Sequence, residues 1–431
     1  MLNTEPLQLS DDFNYALDQL DRHRASMFIT GKAGTGKSTL LRLFQQTCKR
    51  KVVVLAPTGI AALNVGGQTI HSFFGFPIKP ITRADIRKRR DRRLYQRMEV
   101  LVIDEISMVR ADMLDNIDAF LQINRDNYAP FGGVQVVFFG DLFQLPPVVS
   151  SEAEKRLFQT YYETPYYFSA KIMQREDFNL QNFELRRVYR QEQRHFIRLL
   201  DCVRTNRMDY DDLADLNERY IEDFQSEDFY ITLSARNATV NRLNRGALEK
   251  IPLPALTYTA TVNGQFDERR YPTDLLLSLK LSAQVMFIKN DPERKFVNGT
   301  IGKIVKLEEN NITVLVEEDG KRRYIEVEKM EWEIQKYRPH PTKPDEIETE
   351  TMGSFKQYPL KLAWALTVHK SQGKTFDKVI IDMGRGAFEH GQTYVALSRC
   401  RTLEGIVLKN PLRPRDVMVD ERVVEYYETY F

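Results

Sequence analysis

The stretch from Ile29 to Thr39 restricts this chain more than any other. It reads Ile-Thr-Gly-Lys-Ala-Gly-Thr-Gly-Lys-Ser-Thr, so Gly31, Gly36, Lys37 and Ser38 fit the pattern G-x-x-x-x-G-K-S. Apolar Met27-Phe28-Ile29 precedes it, short enough for a buried strand, and Thr39-Leu40-Leu41-Arg42-Leu43-Phe44 follows with helical spacing. Strand, glycine loop and helix, in that order, are the context that makes the pattern a phosphate-binding loop. The glycines let backbone N–H groups turn toward an anion at the positive end of the helix. The candidate phosphate contacts are Gly34, Thr35, Gly36, Lys37, Ser38 and Thr39. Lys37 is expected to reach the β- and γ-phosphates and Ser38 to hold Mg²⁺. The implied ligand is a nucleoside triphosphate.

A loop of this kind needs a parallel sheet behind it, and the chain supplies the strands. Val52–Ala56, Val100–Ile103 and, but for Gln135, Val134–Phe139 are apolar throughout and alternate with helical patterns, as in a parallel sheet covered on both faces. An amphipathic helix over residues 11–24 precedes them. The first α/β unit is expected over residues 1–180. A second set of strands, Phe229–Leu233, Lys361–Leu366 and Val379–Asp382, predicts a second α/β unit from residues 181–250 and 353–431. Between its halves, residues 251–352 change texture. Short alternating strands appear, and Asp319-Gly320 between Ile312–Glu318 and Lys321–Val327 predicts a hairpin. A small antiparallel β-barrel, with a polar, proline-bearing connector at residues 335–352, is expected there.

Chemistry-bearing residues sit at the ends of these strands. Asp104 and Glu105 close the Val100–Ile103 strand, where Asp104 is expected to bind Mg²⁺ and Glu105 to deprotonate the attacking water. Asp141 and Gln144 follow the next strand at the same sheet edge, where ligand sites of such sheets lie. Gln144 is placed for the γ-phosphate or the water, and Asp141 for its support. Arg190 and Arg399, near the two ends of the second unit, are candidates to stabilise charge on the transferring phosphoryl group. Loops at Pro57-Thr58-Gly59, Thr69–Phe74 and Thr367–Gly373 offer hydroxyls, amides, a lysine and aromatic rings, a set suited to a single strand of nucleic acid.

Bulk properties narrow the field further. A chain of 431 residues exceeds what one core accommodates. No run of 18 apolar residues is present and the first residues show no secretory pattern, so an intracellular protein without a membrane span is expected. Cys48, Cys202 and Cys400 are too far apart to suggest a disulfide framework or a zinc site. Net charge is only +2, so composition alone does not mark a nucleic-acid binder. The run Arg87-Lys88-Arg89-Arg90 with Arg92-Arg93 is more often a solvated helix face than a phosphate strip.

Taken together these motifs resemble superfamily-one helicases of the B subtype, and within it the petite-integration-frequency (PIF) helicase family, with RecD-type helicases next. The resemblance rests on Gly31–Thr39, Ala56–Ala62, Thr69–Phe74, Ile103–Met108, Gly140–Val148, Val188–Gln191, Leu233–Asn237, Val297–Gly299, Thr367–Gly373 and Tyr394–Arg399, and on a signature-like block from Met113 to Gln135. It spans residues 25 to 405. It implies two RecA-like domains with ATP and Mg²⁺ between them, an inserted SH3-like barrel, and a short wedge near residues 63–80. Arg190 and Arg399 match the family's arginine fingers, and Gly373 joins the nucleotide set. For DNA contact it implies Thr58, Gly59, Asn64, His71, Ser72, Phe74, Arg236, Asn237, Thr367, His369 and Lys370. The implied activity is ATP-driven 5′-to-3′ unwinding of duplex, forked or G-quadruplex DNA, in a compact bacterial form. It is expected to be cytoplasmic and nucleoid-associated, monomeric in solution, with association on DNA allowed. One departure concerns the base. Where relatives carry an adenine-reading glutamine, this chain has Pro6 or Phe13, which leaves adenine discrimination open. The alternatives are an RNA-preferring translocase and a nucleotide-switched DNA-binding module that does not travel.

Overall fold

The computed structural model describes residues 10–77, 81, 85–149, 151–225, 227–318, 321–340, 342–343, 346–384 and 386–431. Six strands form the first sheet: β1 (Met27–Gly31), β2 (Val52–Ala56), β3 (Gln68–Thr69), β4 (Val100–Ile103), β5 (Gln135–Phe139) and β6 (Gln181–Leu185). Their order is β3-β2-β4-β5-β1-β6, with every pair parallel. Because both faces are covered, β1, β4 and β5 are buried along their whole length. The opening helix Asp11–Asp21 starts at a Ser10 cap, carries Asp11 and Asp12 in its first turn, and buries Phe13, Ala16 and Leu20.

The chain then builds β7 (Ile231–Ser234) and leaves for a long antiparallel insertion. This contains β8 (Ala255–Thr259), β9 (Thr261–Gly264), β10 (Leu276–Lys280), β11 (Gln284–Phe287), β12 (Ile301–Leu307), β13 (Ile312–Glu318) and β14 (Lys321–Val327). It ends with β15 (Met330–Pro339), β16 (Ile347–Gln357) and β17 (Leu360–Leu362). Sheets β14-β13-β12-β11-β17 and β10-β8 enclose one core around Leu277, Leu279, Val285, Phe287 and Val314. The parent resumes with β18 (Ala365–Thr367), β19 (Val379–Asp382) and β20 (Ile406–Leu408), giving a parallel sheet in the order β18-β7-β19-β20. The fold is thus two RecA-like parallel-sheet units with an antiparallel β insertion in the second.

The first unit extends past the expected boundary at residue 180, because β6 pairs parallel with β1 along Gln181–Leu185. Four further expectations change. The single strand expected over Lys361–Leu366 is two. Leu360–Leu362 pairs antiparallel with β11, and Ala365–Thr367 pairs parallel with β7. A continuous apolar run conceals such a switch of sheets, because both halves are buried. The expected connector at 335–352 belongs to a long hairpin, β15 against β16 from Met330–Gln357 to Pro339–Ile347. Its outer part is polar because cross-strand ion pairs, Arg338 with Glu348 and Glu350, stand in solvent. The hairpin reaches the first unit. The Tyr337 hydroxyl accepts from Val54 N at 3.2 Å, and its ring lies 6.0 Å from Phe73. The last helix, Glu421–Tyr430, packs not in the second core but on the first. Val423 is buried there, Phe168 stacks on Tyr426 at 4.5 Å, and Tyr427 donates to Glu184 at 2.7 Å.

The fourth change is at Phe74, expected to stack a nucleic-acid base. Its ring is fully buried among Phe73, Phe76 and Phe120 at 4.9–5.7 Å separations within the cluster, so no base can reach its face. Of the 63–80 segment, residues through 77 complete the helix Gly59–Asn64, β3 and the helix Ile70–Phe74; residues 78–80 lie outside the described residues. The Asp319-Gly320 turn does too, although Glu318 pairs with Lys321 beside it. The basic run is used locally. Lys88 and Arg92 pair with Asp126, Arg93 pairs with Asp91, and Arg89 donates to Phe74 O over the Phe120 ring.

Candidate active site

All six strands of the first sheet run the same way, so their carboxyl ends share one edge, and the motif residues collect there. After β1 the loop turns through Gly34 (φ 86°) and Gly36 (φ 88°), values that side chains rarely adopt. A Cβ on Gly34 would stand 2.5 Å from the Arg190 Cβ, so that glycine also lets the second unit close on the loop. Thr35 is buried and ties Oγ1 to Lys32 O at 2.9 Å. Ser38 and Thr39, in the first turn of the helix Lys37–Thr47, face the open cleft. Lys37 folds back, donating Nζ to Gly31 O at 2.5 Å and Lys32 O at 3.1 Å. Burial lowers its pKa, while Asp141 and Glu105 pull the other way.

The acidic wall follows. Asp104 closes β4, and Glu105 adopts a left-handed φ of 51° that turns the chain into the cleft. Recessed together, the two carboxyls are raised, chiefly by loss of hydration, with Glu105 adding repulsion at Asp104. Asp141 is buried after β5. Its Oδ2 accepts from Gln144 Nε2 at 3.0 Å and its Oδ1 from Phe143 N at 3.2 Å. Ser38 and Asp104 line the same cleft and offer hard oxygen donors. Two carboxyls raised by proximity and burial fit a divalent cation such as Mg²⁺, with water and phosphate oxygens completing the shell.

The opposite wall comes from the second unit. Arg399 is 1% exposed and donates to neutral oxygens: Val395 O at 2.9 Å, Ser398 Oγ at 2.8 Å, and Ser371 O and Lys374 O at 3.5 Å. Arg190 donates to Ser398 O at 3.0 Å. Burial brings Arg190 down to about 9, with Arg399 adding to it, and Arg399 down to about 10. Guanidiniums recessed among carbonyls attract an anion. Gly373 (φ 74°) borders the same cleft with open space over it.

The nucleic-acid candidates divide into groups. Thr58 caps the helix Gly59–Asn64 and Thr367 caps the helix Val368–Ser371, each at the carboxyl end of a parallel strand. Lys370 is exposed beside Thr367, and His369 pairs with Glu389 at 3.2 Å. Asn64 meets Asn298 of the insertion at 3.5 Å, and Asn298 in turn accepts from Lys374. Arg236 and Asn237 are exposed at the start of the helix Asn237–Glu249. His71 and Ser72 lie apart, half-buried near β3, where Ser72 accepts from Gln68 at 2.8 Å.

Two residues outside every sequence motif, Lys374 and Arg204, join the site, and with them Asn298 and Tyr394, which stood inside motifs without a role of their own. Asn298 and Lys374 bridge the insertion and the second unit, and burial takes Lys374 to about 8. Tyr394 accepts at its hydroxyl from Ala33 N of the phosphate loop at 2.8 Å. Arg204 is fully buried behind Asp141. Its signal was present: it recurs on the apolar face of its helix with Phe196, Leu200 and Val203.

A family model described as "PIF1-like helicase" matches residues 8–213. An ATP-dependent DNA helicase Pif1 from Bdellovibrio bacteriovorus is 33% identical over all of this chain and 94% of its own length. The chain belongs to the PIF1-like helicase family. It spans about 60% of the length of the eukaryotic members it also matches. Among solved structures, a Bacteroides Pif1 in complex with ADP-AlF4 is 37% identical and superposes with a TM-score of 0.90, covering 98% of this chain and 97% of that one. A Bacteroides Pif1 bound to single-stranded DNA, 38% identical with the same coverage, gives only 0.69. Among the described residues no helix is long and apolar enough to cross a membrane.

Proposed function

We infer that this chain is an ATP-hydrolysing DNA helicase that travels 5′ to 3′ along single-stranded DNA and opens duplexes, forks and G-quadruplexes ahead of it. The observation that carries the reading is one cleft with the phosphate loop and carboxyls on one wall and Arg190 and Arg399, donating to neutral oxygens, on the other. ATP places its phosphates on Gly34–Thr39, and Lys37 exchanges the carbonyls of Gly31 and Lys32 for phosphate oxygens. Ser38 and Asp104 would hold Mg²⁺, which would supply positive charge to the phosphate oxygens. Glu105, raised by burial, takes the proton of the attacking water. Since Asp141 can only accept, Gln144 must present Nε2 to it, which leaves Oε1 to accept from that water. Arg190 and Arg399 meet the charge that develops on the transferring group.

Travel follows from the two walls belonging to different units. Thr58, Asn64 and Gly59 on the first, and Thr367, His369, Lys370, Arg236 and Asn237 on the second, are the proposed grips on the strand. Closure over ATP shortens the distance between grips, and release restores it. The lower structural similarity to the DNA-bound Bacteroides relative supports a chain whose parts rearrange on DNA. The test is ATP-dependent opening of matched duplexes with a single-stranded 5′ or 3′ tail. Opening of the 5′-tailed substrate alone is expected. Opening of the 3′-tailed one alone reverses the polarity, and ATP consumption without opening of either leaves a translocase.

A further inference from the structure

Arg204 belongs by its helix to the second unit, where Phe196, Leu199 and Val203 pack in the core. Its guanidinium does not stay there. It crosses into the first unit, with Nη2 3.3 Å from Asp141 Oδ1 and 3.8 Å from Glu184 Oε1. The cation lies between two rings, 4.2 Å from the centroid of Phe143 and 4.9 Å from that of Tyr427 on the last helix. Tyr427 is itself held by Glu184. The side chain is 1% exposed and reaches the same loop, Asp141–Gln144, whose glutamine lines the cleft. The second unit also touches this loop at Gly391, where an added Cβ would stand 2.2 Å from Gln144 O.

We propose that Arg204 is a positioning residue that makes ATP turnover depend on the closed spacing of the two units. This rests on the reading of Gln144 given above. Asp141 has two carboxylate oxygens, one accepting from Gln144 Nε2 and the other facing Arg204. While Arg204 is in place, the carboxylate is charge-paired and fixed in rotation, so the Gln144 amide is held with Oε1 free for water. When the units separate, the cation leaves with its helix. Asp141 is then a carboxylate without that partner, and the amide loses its fixed orientation. Arg204 is not among the residues that line the open cleft. Its effect passes entirely through Asp141.

The test is a double-mutant cycle on DNA-stimulated ATP hydrolysis at saturating ATP. Arg204→Met is expected to lower kcat about 10²-fold, the scale of a misplaced reacting group, with binding of a fluorescent ATP analogue unchanged. On a Gln144→Ala background the same substitution is expected to change kcat no further, because both act through one amide. Equal losses from Arg204→Met on both backgrounds overturn the proposal and leave a purely structural role. A Gln144→Ala enzyme with wild-type kcat instead refutes the reading of Gln144, and the proposal falls with it. Arg204→Lys keeps a cation against Asp141 and guards against loss of folding. It is expected to restore most of the turnover, and a rate as low as that of Arg204→Met, at an unchanged melting temperature, overturns the proposal.

Discussion

The two parallel sheets of this chain solve the same folding problem and carry different chemistry. Each ends a strand in a threonine that caps a short helix, Thr58 after β2 and Thr367 after β18, with the hydroxyl accepting from the backbone three residues on, at 3.2 and 3.3 Å. Each is buried on both faces. Yet only the first, six-stranded, sheet carries a glycine loop and an acidic pair, whereas the four-stranded second contributes arginines. The lesson is a division of labour. On the proposed function, one unit would hold the phosphates and the other would sense them, so that neither would complete the site alone. That arrangement suits a motor, because chemistry then requires closure.

The comparison breaks most sharply at Lys37. Lys37→Ala removes the first unit's phosphate grip, and DNA-stimulated hydrolysis is expected to vanish; a measurable fraction of wild-type phosphate release would show that the loop is not the site. Glu105→Gln separates binding from turnover within the same unit. A fluorescent nucleotide should still bind with ordinary affinity while phosphate release stops, and continued turnover would remove Glu105 from the chemistry. On the other wall, Arg399→Ala is expected to slow hydrolysis about 10³-fold with nucleotide affinity little changed, the scale of a lost arginine finger. A near-wild-type rate would mean that the second unit does not reach the transferring group.

Two further substitutions sharpen the contrast between core and grip. Phe74→Ala should lower stability by about 3–5 kcal/mol in urea unfolding, while the folded protein keeps its affinity for single-stranded DNA. A tenfold loss of affinity in fully folded protein would reinstate the ring as a DNA contact. Thr58→Ala and Thr367→Ala each remove one helix cap, worth about 1 kcal/mol. Both should weaken single-strand binding, and to similar extents. A loss confined to one of them would show that the two sheets do not grip alike.

What could be read along the chain was whatever depends on neighbours in sequence. The phosphate loop is legible because the strand, glycines, lysine and helix occupy one stretch, and backbone dihedrals follow locally from glycine. The Asp104-Glu105 and Asp141–Gln144 pairs are legible because each directly follows an apolar run, and parallel strands put such ends on one edge. The insertion was visible from its alternation. Its long hairpin was not, since the pairing of Arg338 with Glu348 and Glu350 is a relation between strands, and composition alone reads as connector.

Phe74 and Arg204 mark where that reading stops. By residue type, an aromatic ring in a polar loop suits a base and an arginine suits solvent; here the ring is core and the arginine is the buried one. The sequence determined the phosphate loop, the carboxyls that follow its apolar strands and the alternating insertion. Only the tertiary structure decided that Phe120 covers Phe74 and that Asp141, Phe143 and Tyr427 enclose a cation from another unit. Dihedral preference and hydrophobic period act over a few residues. Burial and charge pairing depend on which distant segments meet, and that is settled only when the units pack.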